Sequence, residues 1–447
     1  MKFIAARGGF LCISGLLMVQ QAFAALPIQH WKLSNGAEVS LVESPAIPML
    51  DVNIDVDAGS RRDPAAQAGL ASATAGMMTR GLRASDAGPA LDENALGEAW
   101  ADTGASFGPA VSADRMSFSL RTLTTADLLE RTVQLAAREL AEPAFSEAVW
   151  QRERERGIAA IKEAETRPAT HAGRAFGKAV YGGHPYGYET TAETLSNISV
   201  ADMRQLHGRA LLPCRMKISL VGAITRAQAD DLARTLLARL PSGTSCPTQA
   251  DVAEVQPLAA PSETHIPFDA AQAHVMIGQP GYKRDDPDFF PLLVGNYILG
   301  GGGFVSRLMT EVREKRGLTY GVGSGFSPGL HAGAFSIGLQ TRPDQADEAL
   351  RVSRDVLARF VAEGPTQAEL QAAKDNLTGG FALRIDSNRK LLDNVANIAW
   401  NRLPLDYLDT WTQRVSAVTA DEVRAAFQRK LQPDRMATVV VGARPSK

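Results

Sequence analysis

Histidine, serine and cysteine are the side chains through which a chain of this composition would do chemistry, and their spacing here withholds most of it. The seven histidines, His30, His171, His184, His207, His265, His274 and His331, include no pair four residues apart. A helical zinc motif needs two imidazoles four apart on one face, with a glutamate between them as base. His184 and Tyr186 stand in a lone His-Pro-Tyr turn that offers no second ligand and read as structural. Ser72 sits in no Gly-x-Ser-x-Gly elbow, which argues against an independent serine hydrolase. The run Gly300, Gly301, Gly302 and Gly303 is followed by no Lys-Ser/Thr, which argues against a P-loop. A tight turn using glycine's backbone freedom is the plain reading of that run. Cys214 and Cys246 have two readings: a bridge closing a loop of about 30 residues and worth about 3 kcal/mol in an oxidising compartment, or two buried free thiols.

A duplicated scaffold must position these residues. Shifted by about 220 residues, LPCRMKISLVGA (212–223) falls on QPDRMATVVVGA (432–443), and LSNISVADMRQLHGRAL upstream falls without a gap on VSAVTADEVRAAFQRKL. About a third of the joined positions are identical, which marks an internal repeat. Each copy ends alike: a Ser or Thr cap (Ser199, Thr419), a helix with apolar residues at helical spacing, a turn at Pro213 or Pro433, and an apolar strand closed by Gly. Within the first copy, WKLSNGAEVSLVESP and MLDVNIDVDAG alternate polar and apolar residues around an Asn-Gly turn and predict an early hairpin. GLASATAGMMTRG predicts a helix, SFGPAVSADRMSFSLRTL strands, and TADLLERTVQLAAREL a long helix. The second copy repeats that order from AHVMIGQPGY to EALRVSRDVLARFVAEG. Mixed strands and helices in each copy mean two similar α+β domains.

The 447 residues, 45% hydrophobic and 21% charged, suit two large globular domains. Lys2 and Arg7, the apolar FLCISGLLMV and the small-x-small site Ala22-Phe23-Ala24 predict a signal peptide over 1–24. The alternative, a membrane anchor, wants about 20 apolar residues, more than this run supplies. No later segment is long and apolar enough to span. Cys12 leaves with the signal, and 45 basic residues then face 49 acidic ones. With no basic run to release counterions, nucleic acid is a poor partner. The expected divisions are a first domain at 25–240, a Pro/Ser/Thr-bearing linker at 241–263 and a second domain at 264–447.

LGGGGFVSRLMTEVREKRGLTYGVGS (299–324) resembles the C-terminal domain signature of the pitrilysin family, which includes insulin-degrading enzyme and mitochondrial processing peptidase. HPYG (184–187) and the two-copy layout fit it as well. The resemblance implies two homologous pitrilysin-like domains, each a mainly antiparallel sheet covered by helices. Active members carry H-x-x-E-H on an N-terminal-domain helix, which here corresponds to GLASATAGMMTRG. The positions that should read His, Glu and His are Ser72, Ala75 and Gly76, none able to ligate zinc or take a proton. The family's distal glutamate should lie in RERERGIAAIKEAE; aligned on Glu155-Arg156 it falls on Lys162.

Arg313 and Tyr320 match the arginine and tyrosine that, in the family, reach the scissile peptide. Guanidinium and phenol are donors suited to a carbonyl oxygen turning negative. Without the resemblance they are an Arg on the charged segment EVREKR and a Tyr on a half-buried strand; Arg316 reads as a solvated helix-end charge. The family's glycine-rich loop implies a peptide-recognition role for Gly300 to Gly303. Family members arrange four such domains around a chamber, from one long chain or two shorter ones. The resemblance therefore implies a non-catalytic, periplasmic subunit that binds no cofactor itself and lends its donors to a zinc-bearing family partner acting on an extended peptide. A non-proteolytic binding or scaffold protein of the same fold is the alternative.

Overall fold

A computed structural model describes residues 27–241 and 246–442. The expected signal peptide, with Cys12 and the cleavage point near Ala24, lies outside the described residues, as does Ala443 at the end of the repeat. Six strands build the first sheet: β1 (Gln29–Lys32), β2 (Glu38–Glu43), β3 (Met49–Val56), β4 (Ser106–Val111), β5 (Met116–Leu123) and β6 (Lys217–Gly222), in the order β1-β2-β6-β3-β5-β4. Five build the second: β7 (Ser262–Ile266), β8 (Ala273–Pro280), β9 (Val322–Phe326), β10 (Ala334–Thr341) and β11 (Ala437–Val441), in the order β7-β11-β8-β10-β9.

The repeated strands occupy equivalent places. β6 runs parallel to β2 and antiparallel to β3, and β11 runs parallel to β7 and antiparallel to β8. Apart from β1, the second sheet repeats the first. β7 already takes up Ser262 and Glu263, the last residues assigned to the linker. The early hairpin is narrower than the alternation predicts: Asn35-Gly36 turns β1 into β2, with Gln29 opposite Leu41 and Gly36 at φ 93°. β3 does not pair with β2, because β6 inserts between them. Alternation shows which residues share a face but not which strand lies beside which, and a strand from far along the chain took the place.

Among the described residues fourteen helices cover the sheets. The first half contributes α1 (Leu70–Met78), α2 (Glu93–Ala101), α3 (Ala126–Ala141), α4 (Glu147–Ala164), α5 (Pro168–Tyr181), α6 (Ala192–Ser196), α7 (Val200–Ala210) and α8 (Arg226–Leu237). The second contributes α9 (Phe289–Asn296), α10 (Ala346–Glu363), α11 (Gln367–Gly379), α12 (Asn388–Trp400), α13 (Tyr407–Ala417) and α14 (Ala420–Lys430). The repeat helices α7 and α14 both start with a capping box. Ser199 and Thr419 accept from the N–H groups of Asp202 and Glu422, whose carboxylates accept in return from the cap N–H groups, each cap contributing about 1 kcal/mol.

Two helices cross over. The α5 stripe Ala172, Phe176 and Val180 packs on Ala437, Val439 and Val441 of the second half's β11. The α12 stripe Leu391, Leu392 and Val395 packs on Val42 and Val221 of the first sheet. Each central strand is thereby buried on both faces, which is why KISLVG and ATVVV are so apolar. Each large apolar side chain buried in this exchange contributes about 1.5–3 kcal/mol.

Polar links reinforce the exchange. The Tyr186 hydroxyl donates to Asp114 at 2.6 Å and accepts from the His331 N–H. His184 accepts the Tyr186 N–H at Nδ1 and meets the Ala253 carbonyl with Nε2, so it is held as the neutral ring, and burial keeps its pKa below the ordinary value. Cys214 and Cys246 are joined as a disulfide, with Cα atoms 5.9 Å apart.

Candidate functional site

α1 starts at Gly69, whose φ of 105° requires glycine. Asp63 caps the helix, accepting from the Gly69 N–H at 2.9 Å and the Ala71 N–H at 3.0 Å. Burial nevertheless pushes its carboxyl up to about 6. Ser72 and Gly76 fall four apart on one exposed face of α1. Together with Arg80 just beyond its end, they face Trp150, Glu153, Arg154 and Gly157 of α4 across a pocket of about 260 Å³. Ala75 turns the other way, into the core. Lys162 does not reach this pocket. Glu153 and Gly157, four apart, carry the face of α4 that meets α1, while Lys162 lies farther along the helix and is exposed.

Glu153 is the one carboxylate lining the pocket among the described residues. It is engaged by Arg152 at 3.0 Å, Arg156 at 3.2 Å and Arg80 at 3.5 Å. Arg80 and Arg152 also pair with Glu93 of α2. A zinc ion wants three or four imidazole, thiolate or carboxylate ligands. This pocket offers the hydroxyls of Ser72 and Thr190 and one carboxylate already neutralised by guanidinium groups, so its residues do not fit the metal. Among the described residues no three His, Cys, Asp or Glu side chains are grouped to hold one.

In the second half α9 runs into a π-helical turn, Tyr297–Gly301, and a second π-helical turn spans Met309–Glu314. Such turns are uncommon and cluster at functional sites. Between them lies the glycine run. Gly300 is packed so closely that a Cβ would come within 2.4 Å of the Ser324 nitrogen. Gly301 and Gly302 press on Asn296 and Tyr297, and Gly303 holds φ 62°. Packing and backbone geometry therefore explain all four. The run throws the next two side chains outward: Phe304 is 63% and Val305 75% exposed.

Arg313, half-buried on the second π turn, lays its guanidinium over the Phe304 ring, 4.6 Å from the centroid. Arg316 is tied to Glu311 at 2.8 Å. Tyr320 is 88% exposed. The Thr319 hydroxyl, donating to Gln340 and Gly321 carbonyls, fixes the turn that presents it. Its ring borders a cleft of about 540 Å³ over β8 and β10, with His274, Met276 and Gly338 beneath and Ala169 and Ala172 of the crossed-over α5 beside it. Burial holds His274 below the ordinary histidine pKa. Among the described residues no hydrogen bond links Arg313 to Tyr320.

Residues 38–194 match the sequence model for insulinase, peptidase family M16, and residues 197–377 match that for the peptidase M16 inactive domain. A crystal structure described as a peptidase M16 inactive domain from Pseudomonas fluorescens is 34% identical, covering 94% of this chain and 99% of that one, with a TM-score of 0.88. The chain belongs to peptidase family M16. An uncharacterized zinc protease of Mycobacterium leprae is 27% identical over 429 residues, 93% of this M16 chain and 92% of that protein. The periplasmic protease PqqL of Escherichia coli shares the fold, with a TM-score of 0.79 at 19% identity; this chain covers 46% of its length. The M16 scaffold thus extends over both halves, and its α1 face carries Ser72 and Gly76 in place of any imidazole.

Three features of this M16 chain escape sequence reasoning. Glu153 has no distinguishing sequence signal because the arginine-glutamate alternation in RERERG admits several registers, and only the helix packing selects one. Phe304 and Val305 carry a usable signal, two large apolar residues directly after four glycines. His274 had none: its place beside Tyr320 arises from the pairing of β8 with β10.

Proposed function

We propose that this chain is exported to the periplasm and serves as the non-catalytic subunit of a zinc peptidase heterodimer. It presents Arg313 and Tyr320 as donors to a peptide held at a zinc-bearing partner of the same family. The observation that carries this reading is a contrast in side-chain chemistry: Tyr320 and Phe304 stand out from the second half with the Arg313 guanidinium laid over Phe304, while the exposed α1 face has no ligand to offer. A guanidinium and a phenol aimed at a carbonyl that becomes negative stabilise the transition state without supplying a nucleophile. The exposed Phe304 and Val305 add apolar contact along an extended peptide, and the 540 Å³ cleft beside Tyr320 has room for one of its side chains.

The test is cleavage of a quenched peptide by the purified chain mixed with its partner. Arg313→Ala and Tyr320→Phe should each slow cleavage without weakening assembly; unchanged rates would refute the donor role. The second reading, a non-proteolytic binding or scaffold protein, is favoured by the glycine run, which packing explains with no ligand. Co-purification from cells separates the two, since only the first demands a partner bearing H-x-x-E-H.

A further inference from the structure

A cavity of about 580 Å³ lies between the two halves and shares no lining residue with the α1/α4 pocket or the Tyr320 cleft. Its walls are the turn that enters β6, the segment after β8 and the end of α12. Five cations line it, Arg215, Lys217, Lys283, Arg284 and Arg402, against three carboxylates. Asp57, one of the three, is already held by Arg61 at 2.8 Å and Arg62 at 2.6 Å, neither of which lines the cavity. Glu38 stands 3.5 Å from Lys217, and Glu254, from outside the lining, stands 3.5 Å from Lys283. Even with Asp285 set against a third cation, two positive charges lack a counter-charge. The Lys217 ammonium donates to the Ala399 carbonyl at 2.6 Å; burial, with Arg402 adding to it, holds its pKa below the ordinary lysine value.

Arg402 is the telling residue. It follows the cap of α12 at φ 51°, and the Leu403 N–H closes back on the Ile398 carbonyl at 3.0 Å. This is the left-handed helix ending where glycine is the favoured residue. An arginine there strains the backbone, and among the described residues no ion pair or side-chain hydrogen bond occupies its guanidinium. The strain gives this turn nothing that glycine would not give better, whereas the charge serves the cavity.

We propose that this cavity is an anion site for a phosphate-type dianion, gripped by Arg402 from the second half and Arg215 from the first, with Lys283 exchanging its 3.5 Å contact to Glu254 for the anion. Because its walls come from both halves, the bound anion clamps them together. Whether the phosphate is free or borne on a larger molecule, the chemistry of the grip is the same.

The test is calorimetric and thermal titration of the full mature chain with inorganic phosphate, pyrophosphate and a sugar phosphate, at ionic strength fixed with chloride. Binding to the native state should give a saturable rise in Tm. Arg402→Gly should raise the Tm of the ligand-free chain, by relieving the left-handed turn, and weaken phosphate binding at least tenfold. Lys283→Ala should weaken binding without that gain. Tighter binding of the sugar phosphate than of inorganic phosphate supports a site for an esterified group, and the reverse order supports one for the free ion. The proposal is overturned if chloride alone reproduces the rise, or if Arg402→Gly binds phosphate as tightly as the unaltered chain.

Discussion

The α1/α4 pocket and the segment from Gly300 to Tyr320 sit on topologically matching halves, yet they have diverged in opposite directions. In the first half, the positions facing the pocket have shrunk to Ser72 and Gly76, and the remaining carboxylate, Glu153, is locked among arginines. In the second, two π-helical turns and a tightly packed glycine run push Phe304, Val305 and Tyr320 into solvent and hold Arg313 against Phe304. A duplicated scaffold thus carries, at different places in its two copies, a neutralised polar pocket and a set of outward-facing aromatic and cationic groups. Position in the fold alone would not have told the two apart; side-chain exposure and pairing do.

The comparison assumes a shared frame, and breaking that frame should have the largest effect. Phe176→Ala on the crossed-over α5 removes a buried ring that packs against Gly278 and should cost about 3–5 kcal/mol of stability, read by chemical denaturation. A loss below 1 kcal/mol would mean that α5 does not hold the halves together. Next comes the donor pair: with an active partner, Arg313→Ala and Tyr320→Phe should each raise the cleavage barrier by about 2.7–4 kcal/mol, seen in kcat rather than in subunit affinity.

Much of this arrangement was legible in the chain. The repeat at an offset of about 220 residues located β6 and β11 and their capped helices, because a duplicated packing problem leaves matching apolar strands and caps. Arg313 and Tyr320 could be singled out by family resemblance, but not the π turns that carry them, since hydrophobic spacing does not separate π from α over a single turn. The exchange of α5 and α12 was not legible. An apolar stripe such as Ala172, Phe176 and Val180 says that a helix face is buried but not against which sheet. Lys162 follows from a local charge match, whereas the α1–α4 contact is set by a register that only the packed helices reveal.

A third prediction sharpens the contrast in buried charge. Glu139 on α3 accepts from the Trp100 indole at 2.7 Å, and burial raises its carboxyl from 4.5 to about 7. The native state holds that proton more tightly than the unfolded chain, so this contribution is fully present below about pH 4.5 and is lost as pH rises to about 7. Glu139→Gln keeps an acceptor for Trp100 and should be more stable than the unaltered chain by about 3 kcal/mol above pH 7, with little difference at pH 4. Denaturation midpoints at the two pH values check the sign. The smallest effects belong to the silent pocket. Ser72→Ala should be neutral, and Glu153→Gln should change stability by less than about 1 kcal/mol, because its arginine partners are largely solvated. Neither should alter cleavage by the assembled pair.

Metal analysis of the isolated chain, paired with a chelator-sensitive peptidase assay on the same sample, bears most directly on the claim that the α1 face has no hold on zinc. The account predicts far less than one zinc per chain and no cleavage that a chelator abolishes. One tightly held zinc per chain with chelator-sensitive cleavage would contradict it.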